Sequence, residues 1–185
     1  RFPHGGTFEI PILTVNNKHA DARRVLGSNP LDAIGINQHN ADRLSGADFD
    51  GDTVLCIPHN SKVKISSQKA LAGLEGFDTK EAYGPQTYKG KNVRLMTRTQ
   101  LEMGKISNLI TDMTLKGANE DELARAVRHS MVVIDAEKHK LNYKQSEIDN
   151  GISELKHKYQ GHYNEQGNWS TGASTLLSRA KGEKA

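Results

Sequence analysis

Cysteine is nearly absent: Cys56 is the single one in 185 residues, which excludes an internal disulfide and points to a reducing compartment. Cys56 falls in the apolar run Thr53-Val54-Leu55-Cys56-Ile57, so its expected role is that of a small buried apolar residue, not a nucleophile. Long hydrophobic runs are lacking too. No stretch approaches the ~18 apolar residues of a membrane-spanning helix, and the first residues form no apolar signal segment. A soluble, cytoplasmic protein with no membrane partner is the expectation. Charge of one sign is also missing: 25 Lys and Arg against 22 Asp and Glu leave a net +3, too mild to mark a nucleic-acid binder by itself. The loosely basic stretch of Lys138, Lys140, Lys144, Lys156 and Lys158 suits either phosphate contact or ordinary solvated helix faces. His157 and His162 have no thiol nearby, which removes a zinc site, and His4 and His59 are incidental to the acidic cluster described next.

What is present is Asp48-Phe49-Asp50-Gly51-Asp52. Carboxylates at alternate positions point one way from an extended segment, and they repel one another unless a cation neutralises them. Gly51 supplies a tight turn in which the three oxygens could converge. An oxygen-only ligand set suits Mg²⁺, with Mn²⁺ as a substitute, better than zinc. An EF-hand loop also opens Asp-x-Asp-x-Asp, but its sixth and twelfth positions here are Thr53 and His59 instead of Gly and Glu, so that reading fails. A solvated acidic turn is the plain alternative. Against it, the cluster abuts Thr53 to Ile57, which reads as a buried strand, and unpaired carboxylates there would be costly.

The residues Ser45-Gly46-Ala47-Asp48-Phe49-Asp50-Gly51-Asp52 resemble the metal-binding loop of the two-barrel RNA polymerases. The Ser-Gly before it is more similar to the cellular RNA-dependent RNA polymerases and their phage-encoded single-chain relatives. Gly46 stands where the multisubunit enzymes carry a ribose-sensing Asn. Arg1-Phe2-Pro3 resembles the Arg-x-Pro that opens the double-psi β-barrel of this superfamily. Met103-Gly104-Lys105-Ile106-Ser107-Asn108 and Ile134-Asp135-Ala136-Glu137-Lys138 resemble two helical motifs that follow the barrel. The resemblance spans about residues 1 to 140.

It implies an α+β fold: a double-psi β-barrel, partial or single, followed by an antiparallel helical region. It also implies Mg²⁺-dependent nucleotidyl transfer from NTPs to a growing RNA 3′ end on a nucleic-acid template, in a bacterial, phage-infected or other intracellular setting. Asp48, Asp50 and Asp52 would be the catalytic metal ligands, with Gly51 as the structural turn. Arg1, Lys105, Asn108 and Lys138 would be candidate contacts to nucleotide or nucleic acid. A second β-barrel domain outside this chain would bring lysines to the triphosphate, so the segment alone would be inactive or nearly so. The alternative is a non-catalytic, metal-stabilised nucleic-acid-binding module.

Periodicity changes once along the chain. Residues 1–70 carry short apolar runs, notably Phe8 to Val15 and Thr53 to Ile57, punctuated by Gly, Asn, Pro and Asp, and read as the β-rich catalytic segment. Residues 71–97 have no steady period and read as a connection or insertion. Residues 98–160 read as helical. Met103, Ile106, Leu109, Ile110 and Met113 form one stripe that Gly117 should end. Asn119 and Glu122 form a capping box for a second helix with Leu123, Ala126, Val127, Ser130, Met131 and Ile134 inward. Ile148, Ile152, Leu155 and Tyr159 mark a third helix. Residues 161–185 read as a flexible tail with a short helix near Ser174 to Ala180.

Overall fold

The computed structural model describes residues 8–41, 44, 52–60, 62–164 and 166–172. The chain divides into two compact units, Phe8–Ala70 in one and the residues from Leu71 onward in the other.

The N-terminal unit has little regular structure. Helix α1 covers Ala20–Leu26, capped by the His19 ring, and buries none of its residues. Helix α2 is the single turn Gln38–Ala41. Two isolated antiparallel bridges, Ile10 with Gln68 and Asn60 with Val63, are the only strand pairing described in this unit. Its buried side chains among the described residues are Phe8, Glu9, Ala41 and Leu44.

The second unit is helical. Short 3₁₀ turns at Ala72–Leu74 and Pro85–Thr87 flank helix α3, Thr79–Tyr83, whose N-terminus is capped by Asp78 accepting from the amides of Lys80 and Glu81 at 2.8 Å. Helix α4, Thr99–Leu115, buries Met103, Ile106, Leu109, Ile110 and Met113, the full stripe expected of it. It ends in a Schellman motif: Gly117 takes a φ of 71°, its amide donates to Thr114 O, and the Ala118 amide donates to Met113 O at 2.9 Å. Helix α5, Glu120–His139, begins with the Asn119–Glu122 capping box. The short joint makes α4 and α5 an antiparallel pair, and Thr99 Oγ1 at the start of α4 donates to Glu137 Oε2 at the end of α5, 2.7 Å away.

Helices α6, Tyr143–Asp149, and α7, Ile152–Gln160, pack against α5. Glu122 locks that packing. It caps α5 and also accepts from the Lys158 ammonium and the Tyr159 hydroxyl of α7, hydrogen bonds that hold its carboxyl below the usual range, the Lys158 bond most of all. Arg125 of α5 reaches the α6–α7 joint, donating from Nε to Asn150 O at 2.9 Å and pairing with Glu154 at 2.8 Å. Gly151 in that joint has a φ of 59°, which favours glycine, and a Cβ there would also displace the Arg125 guanidinium. A hairpin of β1, Gly161–Tyr163, and β2, Trp169–Thr171, closes the described chain, with Trp169 stacked near His157 and Tyr163.

Several expectations are corrected. The α+β double-psi β-barrel is not what the described residues form: they are mostly helical, and β1–β2 is their only sheet. Thr53 to Ile57 builds no ladder, and Leu55 is 76% and Ile57 51% exposed, with Cys56 exposed as well. β-branched and apolar composition suits a pleated surface, but a strand exists only when a neighbour takes its N–H and C=O groups. The expected third helix is two helices, and Ile148 is 71% exposed. In α5 the buried face runs through Val132, Val133 and Ala136, while Ser130, Met131 and Ile134 lie at its margin. Residues 161–172 hold the hairpin, and the suggested helix near Ser174 lies outside the described residues.

Candidate functional site

The acidic motif is described only at its last member. Asp48, Asp50 and Gly51 lie outside the described residues, as does Arg1. Asp52 is half-buried and leads directly into segment 53–59, which forms neither helix nor strand. The expected buried strand beside the aspartates is instead a mostly exposed segment, so burial does not force those carboxylates to find a partner. Among the described residues, no group of three or more His, Cys, Asp or Glu side chains converges in a way that could hold a metal ion.

Lys105, Asn108 and Lys138 all lie on described helices. Lys105 lies on the exposed face of α4 and pairs with Glu102 at 2.8 Å. Asn108, one turn on, is half-buried. Ile106, Leu109 and Ile110 occupy the opposite, buried face, so the expected division of α4 into a packing side and a polar side holds. Lys138 is exposed in the last turn of α5.

Sequence reasoning passed over Arg94 and Arg98. Both are exposed, and with Leu101, Glu102, Lys105 and Tyr143 they line a cleft of about 360 Å³ at the start of α4. One signal was readable: Arg98 is the N-cap of α4 and makes no side-chain cap, where Ser, Thr, Asp or Asn would be preferred.

No protein-family model, curated protein or solved structure matches the chain. Function therefore has to be argued from the residues themselves.

A serine–histidine pair in the helical core invites a catalytic reading and does not support one. His129 Nδ1 lies 3.0 Å from Ser146 Oγ, and Asn150 Nδ2 donates to Ser146 O at 2.9 Å. Ser146 is fully buried and His129 is 6% exposed, so no substrate atom can approach the hydroxyl. Burial pushes the His129 pKa down to about 4, against the pull of Glu147. It is a neutral, hydrogen-bonded core residue. Asp112 is similar: it is buried and accepts from Gln160 Nε2 at 2.7 Å, joining α4 to the end of α7.

Proposed function

We propose that this chain carries the catalytic aspartates of an RNA polymerase and serves Mg²⁺-dependent transfer of nucleotides from NTPs to a growing RNA 3′ end on a nucleic-acid template. The observation that carries the reading is the motif Asp48-Phe49-Asp50-Gly51-Asp52. Its donor set is oxygen-only and triply anionic, which fits Mg²⁺ or Mn²⁺. The half-buried Asp52 at the head of a mostly exposed segment without regular structure suits a carboxylate that a metal and a nucleotide could reach.

A bound divalent cation supplies Lewis-acid activation of the 3′ hydroxyl and neutralises charge on the departing pyrophosphate. Asp48, Asp50 and Asp52 would hold it, and Gly51 would let the backbone bend so that neighbouring carboxylates share one site. No side-chain general base is needed in this scheme. The chain's own task is to position the nucleic acid, for which Lys105 and Asn108 on the polar face of α4 are candidates. Lysines that grip the triphosphate would come from a partner domain. The reading rests on the motif and the chemistry of its donors, and not on the fold.

The test is RNA synthesis from NTPs and Mg²⁺ by the full-length protein with Asp50→Asn. Removing one ligand charge also relieves carboxylate repulsion, so the variant should fold normally and lose synthesis. Full activity in a folded variant would end the assignment. Template binding without synthesis in the unaltered protein would favour the non-catalytic binding module instead.

A further inference from the structure

The cleft at the start of α4 has the core residues Met96 and Tyr143 in its lining and two exposed arginines beside them. Arg94 and Arg98 have no ion-pair partner among the described residues, whereas the one acid in the cleft, Glu102, is taken by Lys105 at 2.8 Å. The cleft therefore carries the net positive charge of two guanidinium groups, whose planar forks match phosphate oxygens.

Two features of α4 point the same way. Arg98 puts a cation at the positive end of a 17-residue helix without capping it, an arrangement that an anion would relieve. Gly104 sits inside that helix with nothing within 4 Å of where its Cβ would be. Packing does not call for a glycine there, and glycine weakens a helix interior. Leu101, Gly104, Lys105 and Asn108 follow the helical repeat and so share one face. A bare backbone on that face lets a ligand come close. From Arg98 to Asn108 the face runs ~15 Å at the rise of an α-helix, longer than a single phosphate group.

We infer that the Arg94–Arg98 cleft and the adjoining face of α4 bind the phosphodiester backbone of a nucleic-acid strand. This deepens the polymerase reading, on which it rests for the identity of the polymer, by naming where the strand is held. It does not depend on the aspartates.

The test is fluorescence anisotropy with a labelled single-stranded RNA 12-mer and the full chain, over a range of salt concentrations. Arg94→Glu/Arg98→Glu should weaken binding at least tenfold and lower the slope of log K against log salt by ~1.4, since each single-strand phosphate contact contributes ~0.7. Arg23→Glu/Arg24→Glu on α1 makes the same change in net charge and should leave Kd within about twofold; Arg94→Gln/Arg98→Gln should fall between them. Thermal melts establish that each variant is folded. Equal loss in the α1 control, unchanged binding in the cleft variant, or no RNA binding by the unaltered chain would overturn the inference. Calorimetric titration with inorganic phosphate and with NTP separates the sources: binding of those alone, with RNA affinity indifferent to Arg94 and Arg98, also overturns it. Asp48→Asn/Asp50→Asn separates this claim from the metal reading, because it should retain RNA affinity. Arginine-dependent RNA binding by a chain that holds no Mn²⁺ would sink the metal site alone.

Discussion

Among the described residues, the two units of this chain enclose apolar side chains to different extents. In the N-terminal unit Val15, Val25, Leu31 and Leu55 are 70% or more exposed. In the helical unit Leu109, Met113, Val132, Leu141 and Leu155 are fully enclosed. A helix satisfies its backbone within one segment, so α4 to α7 need only bring apolar faces together, and short joints at Gly117 and Gly151 do that. Non-helical segments such as 53–59 must find hydrogen-bonding neighbours before they can bury anything. The helical unit and the unit that holds the acidic motif are thus under different constraints.

The largest effect should come from the helical core. Leu109→Ala or Leu155→Ala should cost ~2 to 5 kcal/mol in urea unfolding, the range for large-to-small changes at enclosed sites. Leu55→Ala, in contrast, should stay within ~0.5 kcal/mol. Equal losses at Leu55 and Leu109 would erase the distinction between the units.

Acid should weaken the same core. His129 is held neutral with a pKa of about 4, below its ordinary value, chiefly because it is buried. In the unfolded chain it protonates near pH 6.5, so between pH 6.5 and about 4 the unfolded state binds the extra proton. Stability from this group is complete above pH 6.5 and declines as pH falls towards 4, by about 3 kcal/mol at most. His129→Gln should flatten that part of the stability profile even though it loses the Ser146 contact. A profile as steep as that of the unaltered protein would show that another group is responsible.

Smaller effects probe the helix ends and the bare face. Asn119→Ala removes half of the α5 capping box and should cost ~1 kcal/mol. Gly104→Ala should move the other way, stabilising the chain by ~0.5 to 1 kcal/mol, since α4 has open space there. A destabilised Gly104→Ala would contradict the open space at this position.

How much of this was legible follows from the same physics. The α4 stripe, its Gly117 stop and the Asn119–Glu122 box could be read from local spacing, because each depends on residues within a few positions of one another. The 4-3-4 spacing from Ile148 to Tyr159 suggested one helix across a break that Asn150-Gly151 imposes. The β1–β2 hairpin was missed although Asn164, Gly167 and Asn168 mark its turn: the Gly167 φ is 77° and Asn164 Oδ1 accepts from the Gln166 and Asn168 amides. The barrel expectation came from resemblance, and nothing local in residues 8–70 specifies which segments should pair. Arg94 and Arg98 are not legible as a pair in the sequence, because Arg94 belongs to no regular element and the two meet only in the folded cleft. Of the acidic site, sequence supplied the donor set and the structure places only Asp52.

The central claim is that Asp48, Asp50 and Asp52 together hold a divalent cation, and Mn²⁺ titration of the chain followed by electron paramagnetic resonance tests it most directly. The free-ion signal should be suppressed up to one Mn²⁺ per chain, return on addition of excess Mg²⁺, and persist unsuppressed in folded Asp48→Asn/Asp50→Asn. Binding that is absent in the unaltered chain, or equal in the variant, would contradict the claim.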